Sequence, residues 1–455
     1  MKFVVVVALI AVFFSFSACG GGGATFTQPP PPPTHNIWTW RGGSNFANQS
    51  ATYGTLGVAA AGNNPGPRSS LASAVDASRT LWLFGGINSG PLLSDLWKYS
   101  AGEWTWVSGP STTNQMGVYG TKGVSDPANV PGARYGATAW VDSVGALWLF
   151  GGIGYDSANN PGLLSDLWKY SSGQWTWVGG SNLSNVFIGV YGTQGVPSPA
   201  NFPPGREGGV GWTDASGNLW LYAGNAQSVM NDLWEYSAGE WTWISGGSVG
   251  NQVGVYGTRG TPDPANIPGN RIYPSAWIDA SGNPWVFGGW GVNASLPYPY
   301  LGTYNDLWRY SSGEWTWISG SSGYDQPGSY GAKGTASSSN TPGARSSAVT
   351  WSDASGNFWM FGGEYQSFSA GPNAYFNDLW KYDGGQWTWM GGASTAGASG
   401  VYGTQGQATS TTIPGARSGG VSWTDSSGNV WLFGGYGYDS AGTLGGLNDL
   451  WEYTP

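Results

Sequence analysis

Along most of the chain, short runs of apolar residues alternate with Gly, Ser and Asp turns. One stretch shows the layout. Arg134 opens an apolar segment to Val141, and Asp142-Ser143-Val144-Gly145 makes a turn. Leu147-Trp148-Leu149-Phe150 follows and ends at Gly151-Gly152. A variable loop leads to Asp166-Leu167-Trp168-Lys169-Tyr170, and Ser171-Ser172-Gly173 then turns into Trp175-Thr176-Trp177-Val178. Four aromatic and β-branched runs split by turn residues predict four short strands. Residues alternate along the last two, as in a sheet with two different faces. No window predicts a helix.

The unit is written six times. Asp-Leu-Trp occurs at Asp95, Asp166, Asp232, Asp306, Asp378 and Asp449, 66 to 74 residues apart. Trp-Thr-Trp starts at Trp38, Trp104, Trp175, Trp241, Trp315 and Trp387. An Arg after Pro or Pro-Gly recurs at Arg68, Arg134, Arg206, Arg271, Arg345 and Arg417. A Gly-Gly-like pair closes the second run at Gly86, Gly152, Gly224, Gly289, Gly363 and Gly435. Four short strands per repeat, six times over, predict an all-β, six-bladed β-propeller. The last Asp-Leu-Trp has no Trp-Thr-Trp after it, and one stands before the first Arg, at Trp38. The N-terminal strand is therefore expected to complete the sixth blade and remove an exposed edge.

Composition narrows the chemistry. Gly (79) and Pro (28) are abundant enough to suggest disorder, but 30 Trp in a chain that is only 9% charged argue for packed structure. Of those Trp, 29 fall at repeated positions, leaving Trp290 outside the frame. No basic run is present, so nucleic acid is not an expected partner. Cys19 and His35 are the only residues of their kinds. An intrachain disulfide is excluded, a Cys/His zinc site cannot be assembled, and no cofactor is expected.

The order Arg, apolar strand, Gly-Gly, Asp-Leu-Trp-x-Tyr, then Trp resembles the kelch repeat, and the likeness runs from 37 to 455. The whole resembles bacterial kelch-repeat lipoproteins and, more distantly, the propeller domain of galactose oxidase. That oxidase family needs two His and a Cys crosslinked to Tyr at copper, which this chain cannot supply. Phe3 to Ala18 is an uncharged stretch too short for a membrane span. It suits a secretory signal. Phe16-Ser17-Ala18-Cys19-Gly20 resembles a bacterial lipobox, with Phe16 where Leu is usual. The resemblance implies a signal peptide over 1–18 and acylation of Cys19. A Gly/Pro-rich tether follows over 19–36, ahead of a propeller over 37–455. The expected place is outside the cytoplasm, on the outer membrane or cell surface if the host is Gram-negative. The expected form is monomeric.

Repetition marks scaffold, so departures mark candidates for function. The six Arg, the six Asp of Asp-Leu-Trp and the six Asp ending the first strand are read as caps and inter-strand hydrogen bonds. The residue after Gly-Gly differs in each copy: Ile87, Ile153, Asn225, Trp290, Glu364 and Tyr436. Trp290, Glu364 and Tyr436 are the expected centre of a ligand site on the long-loop face. Tyr298, Tyr300, Tyr304, Tyr365, Phe368, Tyr375 and Phe376 stand in the nearby loops. Flat aromatics beside a carboxylate suit sugar-like or peptide-like ligands, so a polysaccharide or an envelope protein is the expected partner. Glu207 also departs from its repeat. With Glu364 it could form an acid and base pair on the same face, although the expected role is a binding module, with a mutarotase-like enzyme on sugars as the alternative. Glycoside hydrolysis would need a separation of about 5–9.5 Å. Asp156 and Asp439 recur in Gly-Tyr-Asp-Ser-Ala loops as weak Ca²⁺ candidates.

Overall fold

The computed structural model describes residues 35–186, 188–293, 300–366 and 372–455. Cys19, the signal and most of the tether lie outside the described residues, as do Tyr298 and Phe368. For Tyr300 only the backbone, in the strand Tyr300–Thr303, is described.

All regular structure among the described residues is β-strand. Thr138–Val141, Leu147–Phe150, Leu167–Ser171 and Gln174–Gly179 pair antiparallel in chain order. These are the four runs the hydrophobic pattern predicts. Six principal sheets repeat this order among the described residues. The last takes strands from both ends of the chain. Val421–Thr424, Val430–Phe433 and Leu450–Thr454 are joined by Ile37–Gly42, which pairs with Leu450–Thr454. Thr412 Oγ1 donates to the Trp38 carbonyl at 2.5 Å. Asn129 Nδ2 does the same to the Trp175 carbonyl at 3.1 Å in the second repeat. Trp38 thus occupies the position of the first Trp in a Trp-Thr-Trp strand.

Each hairpin between first and second strands is capped by its repeated Asp. Asp142 Oδ1 accepts the Val144 and Ala146 amides, and Oδ2 accepts Trp148 Nε1 at 2.8 Å. Burial would raise this carboxyl, but those donors and Lys169 outweigh it and hold the pKa below its ordinary value. The Gly-Gly pair follows from close approach. Gly151 has φ 70°, and a Cβ there would lie 2.7 Å from the Arg206 carbonyl of the next repeat. Glycine makes that turn with least strain, although Ala223 holds φ 60° at the equivalent place in the third repeat.

The sheets bury their faces on one another. One cluster joins Trp140 and Phe150 to Leu221 and Trp241, and the next joins Trp212 and Tyr222 to Trp308 and Trp315. The pattern continues from sheet to sheet. It also links Trp97 and Trp104 of the first sheet to Trp423 and Phe433 of the last.

Candidate functional site

The repeated charges are buried. In the second repeat Arg134 donates to both oxygens of Asp166, at 2.6 and 2.8 Å. Tyr119 Oη and Trp168 Nε1 donate to Oδ2 of the same carboxylate, at 2.6 and 2.7 Å. Arg134 Nη1 also reaches the Gly151 carbonyl and Nε the Gly132 carbonyl. Burial and the Asp166 charge hold the Tyr119 hydroxyl protonated, well above its ordinary range. The same Arg–Asp pair recurs at Arg68–Asp95, Arg206–Asp232, Arg271–Asp306, Arg345–Asp378 and Arg417–Asp449. The Tyr comes from the Val-Tyr-Gly-Thr text of the long link, so that text ties the link to the blade it precedes. A bidentate pair with every oxygen occupied has no capacity left for a ligand. These residues are scaffold.

Two residues beyond each Arg, the backbone joins the repeats. Gly136 N donates to Ser70 O, Gly208 N to Gly136 O, and Tyr273 N to Gly208 O. Ser347 N donates to Tyr273 O, Gly419 N to Ser347 O, and Ser70 N to Gly419 O. The circuit of six bonds returns to its start. All six residues have φ between 49° and 66°. Such values explain why the position is Ser or Gly in five copies. A cavity of 150 Å³ adjoins this circuit, lined in part by Leu71, Ala137, Val210, Tyr273, Pro274 and Ala348.

The residue after each Arg pairs with the residue after each Gly-Gly. These pairs are Ser69 with Ile87, Tyr135 with Ile153, Glu207 with Asn225, Ile272 with Trp290, Ser346 with Glu364, and Ser418 with Tyr436. The positions singled out by departure from the repeat therefore form one rim beside the circuit.

Contacts within the rim fall into two groups. Glu364 lies near Ser418, Tyr375 and Gln366, whose hydrogen bonds only partly offset the burial that raises its pKa. Tyr375 packs against Tyr436, with ring centroids 5.8 Å apart. Tyr375 thus joins Glu364 to Tyr436. Trp290 is half-buried against Val229, Ile272 and Val292, beside Tyr273 and Leu301. Tyr365 is half-buried and pairs with Ala374. Tyr304 and Phe376 lie under the guanidinium groups of Arg271 and Arg345 and serve the scaffold.

Glu207 has its own partners. Tyr273 Oη donates to Oε2 at 3.0 Å and Asn225 Nδ2 to Oε1 at 3.2 Å. Burial raises its pKa against those bonds. The contacts of Glu207 and those of Glu364 are separate sets. Asp156 Oδ1 accepts the Ala158 and Asn160 amides, and Oδ2 the Ser184 amide. Asp439 likewise accepts Ala441, Thr443 and Ala47. Both carboxylates close loops. Among the described residues no three His, Cys, Asp or Glu are grouped to hold a metal ion. His35 Nδ1 lies 3.2 Å from the Pro455 carbonyl.

Residues 46–245 match a family model described as the KLHDC2/KLHL20/DRC7 Kelch-repeats domain. The chain carries kelch repeats. No curated protein matches it. Beyond residue 245 the kelch arrangement of Arg, Asp, Tyr and Trp recurs around Asp306, Asp378 and Asp449, with the same donors. Tyr273, in the circuit beside the rim, was not among the residues singled out from the sequence. Its signal was available, since it stands where the other five copies have Ser or Gly.

Proposed function

We propose that this kelch domain is a closed six-bladed propeller, completed by its N-terminal strand. It acts as an interaction module held outside the cytoplasm by a lipid on Cys19. The return of the six-bond backbone circuit to Ser70 supports closure. The same holds for the packing of the first sheet on the last.

Kelch repeats make protein interaction the expected role. The observation that carries the site is the rim itself, where a six-fold pattern breaks. Six of the twelve equivalent positions hold Ser or Ile, and the second and third copies already depart with Tyr135, Glu207 and Asn225. Later copies place Trp290, Glu364 and Tyr436 there, all half-buried. Loop ends beside a fixed scaffold can change without disturbing the sheets. An envelope protein is the proposed partner, with a cell-wall carbohydrate as the other outcome of the test.

The test is a thermal-shift screen against envelope proteins, saccharides and cell-wall fragments, because a ligand that binds the native state stabilises it. With a hit in hand, Trp290→Ala and Glu364→Gln should each weaken binding while leaving the melting temperature near wild type. Two variants that bind as wild type would move the site elsewhere. For the anchor, Cys19→Ser should shift the protein from the membrane to the soluble fraction. A wild-type protein that is already soluble and unacylated would remove the anchor from the reading.

A further inference from the structure

Every buried carboxylate of the scaffold has its charge answered. The six Asp of Asp-Leu-Trp face Arg, while Asp156 and Asp439 face backbone amides. Glu207 has neither an Arg nor a backbone amide on its carboxylate, a condition it shares with Glu364. Its two hydrogen-bond donors, Tyr273 Oη and Asn225 Nδ2, are neutral, and no cation lies within ion-pair distance among the described residues. Arg206, next in the chain, is committed to Asp232.

Beside Asn225, Glu207 faces aromatic residues. Tyr273, from the following repeat, reaches Glu207 by that hydrogen bond, and Tyr135, from the preceding one, adjoins Gly136, where an added Cβ would lie 3.2 Å from Glu207 Cβ and 2.8 Å from Tyr273 Oη. Tyr273 also borders the 150 Å³ cavity, whose other walls include Leu71, Ala137, Val210 and Pro274. Tyr273 holds φ 52° and is the only aromatic residue with positive φ among the described residues. Glycine would fit there without strain, as it does at Gly136, Gly208 and Gly419. A side chain kept at a conformational cost that glycine would avoid points to a use for it.

We infer that Glu207, Tyr135 and Tyr273 form a cation-recognition site at the propeller axis, which takes a Lys or Arg side chain from a partner protein. The inference rests on the interaction-module reading and names its partner chemistry. The carboxylate supplies the missing counter-charge, and aromatic faces attract ammonium and guanidinium groups. The apolar side chains on the walls of the cavity beside Tyr273 suit the aliphatic stem of such a side chain, which buries its methylenes while its head stays polar.

The probe is the peptide acetyl-Gly-Arg-Gly-amide, with acetyl-Gly-Gln-Gly-amide as its neutral match, followed by ligand-observed NMR on the full chain. The Arg peptide should bind with a Kd in the millimolar range, which is about −4 kcal/mol. The Gln peptide should not bind. Glu207→Gln preserves the shape of the side chain and should abolish most of the binding. Tyr135→Leu should weaken it about two- to fivefold, the range of one exposed cation–π contact. Affinity should fall on acidification between pH 8 and pH 4. The other titratable groups facing Glu207 are the Tyr135 and Tyr273 hydroxyls, and both are pushed up by burial. The trend therefore belongs to the carboxylate. Equal binding of the two peptides, unchanged binding in Glu207→Gln, or no binding up to about 10 mM would each overturn the site. A partner found in the screen that tolerates Glu207→Gln but not Trp290→Ala would keep the module and remove only this site.

Discussion

A buried Arg–Asp pair is costly to break from one side, because the surviving charge stays in a dry site. Asp166→Asn leaves Arg134 without its counter-ion and should cost about 3–5 kcal/mol, read as a fall in chemical-denaturation midpoint. Tyr119→Phe removes only one donor from the same carboxylate. It should cost less, about 1.5–3 kcal/mol. A loss for Tyr119→Phe as large as that for Asp166→Asn would mean that the link loop, rather than the ion pair, holds the repeat. Glu207 behaves in the opposite sense. Its folded-state pKa is raised, so its contribution to stability is fully present below the unfolded carboxylate value. That contribution is lost as pH rises through the folded value. The melting temperature of wild type relative to Glu207→Gln should therefore decline from pH 4 towards pH 7. A flat difference would show that the carboxylate does not titrate in that window. The Arg, Asp and Trp of the scaffold were legible in sequence because they recur. Their pairing was not, since Arg134 and Asp166 stand 32 residues apart.

At the scale of the hairpin, the repeated Asp after the first strand does local work. Asp353 Oδ1 accepts the Ser355 and Asn357 amides, while Oδ2 accepts Trp359 Nε1 at 2.8 Å. Burial opposes its ionisation, but these donors prevail and hold its pKa below the ordinary value. The stability it adds is present above the unfolded carboxyl pKa and is lost as pH falls through the lower folded value. Asp353→Ala should lower stability by about 1–3 kcal/mol at pH 7. The penalty should shrink towards pH 3 in the same denaturation measurement. A penalty independent of pH would assign it to packing of Trp359 instead. The strands and their caps were readable because each hairpin is closed by residues within six positions of the Asp. The job of the long links was readable only as repeated text. Its physical basis, Tyr to the buried carboxylate and Asn129 to the Trp175 carbonyl, spans about 46 residues.

For the molecule as a whole, the N-terminal strand is the decisive element. Trp38 is buried and packs on Trp351, Phe361 and Tyr453, at centroid distances of 6.4, 5.1 and 4.9 Å. Deleting residues 1–42 removes Trp38 and Trp40 and leaves Leu450–Thr454 as an open edge. Each Trp lost from such a core costs about 3–5 kcal/mol. The truncated protein should therefore melt well below wild type or aggregate, as followed by calorimetry and light scattering. An unchanged melting curve would make the strand an accessory and would withdraw the closed propeller.

By itself, the sequence determined the strand unit, its sixfold recurrence, the capping residues and the rim positions where the pattern breaks. Those features are set by neighbours in the chain, through alternation, turn chemistry and the need for glycine at positive φ. The tertiary structure decided which of the departures meet. Glu364 reaches Tyr436 by way of Tyr375, whereas Trp290 sits with Ile272 and Tyr273. Tyr273 crosses to Glu207, 66 residues earlier. Such meetings depend on how one sheet is rotated and stacked on the next. Side-chain packing between sheets sets that geometry, and no spacing along the chain encodes it.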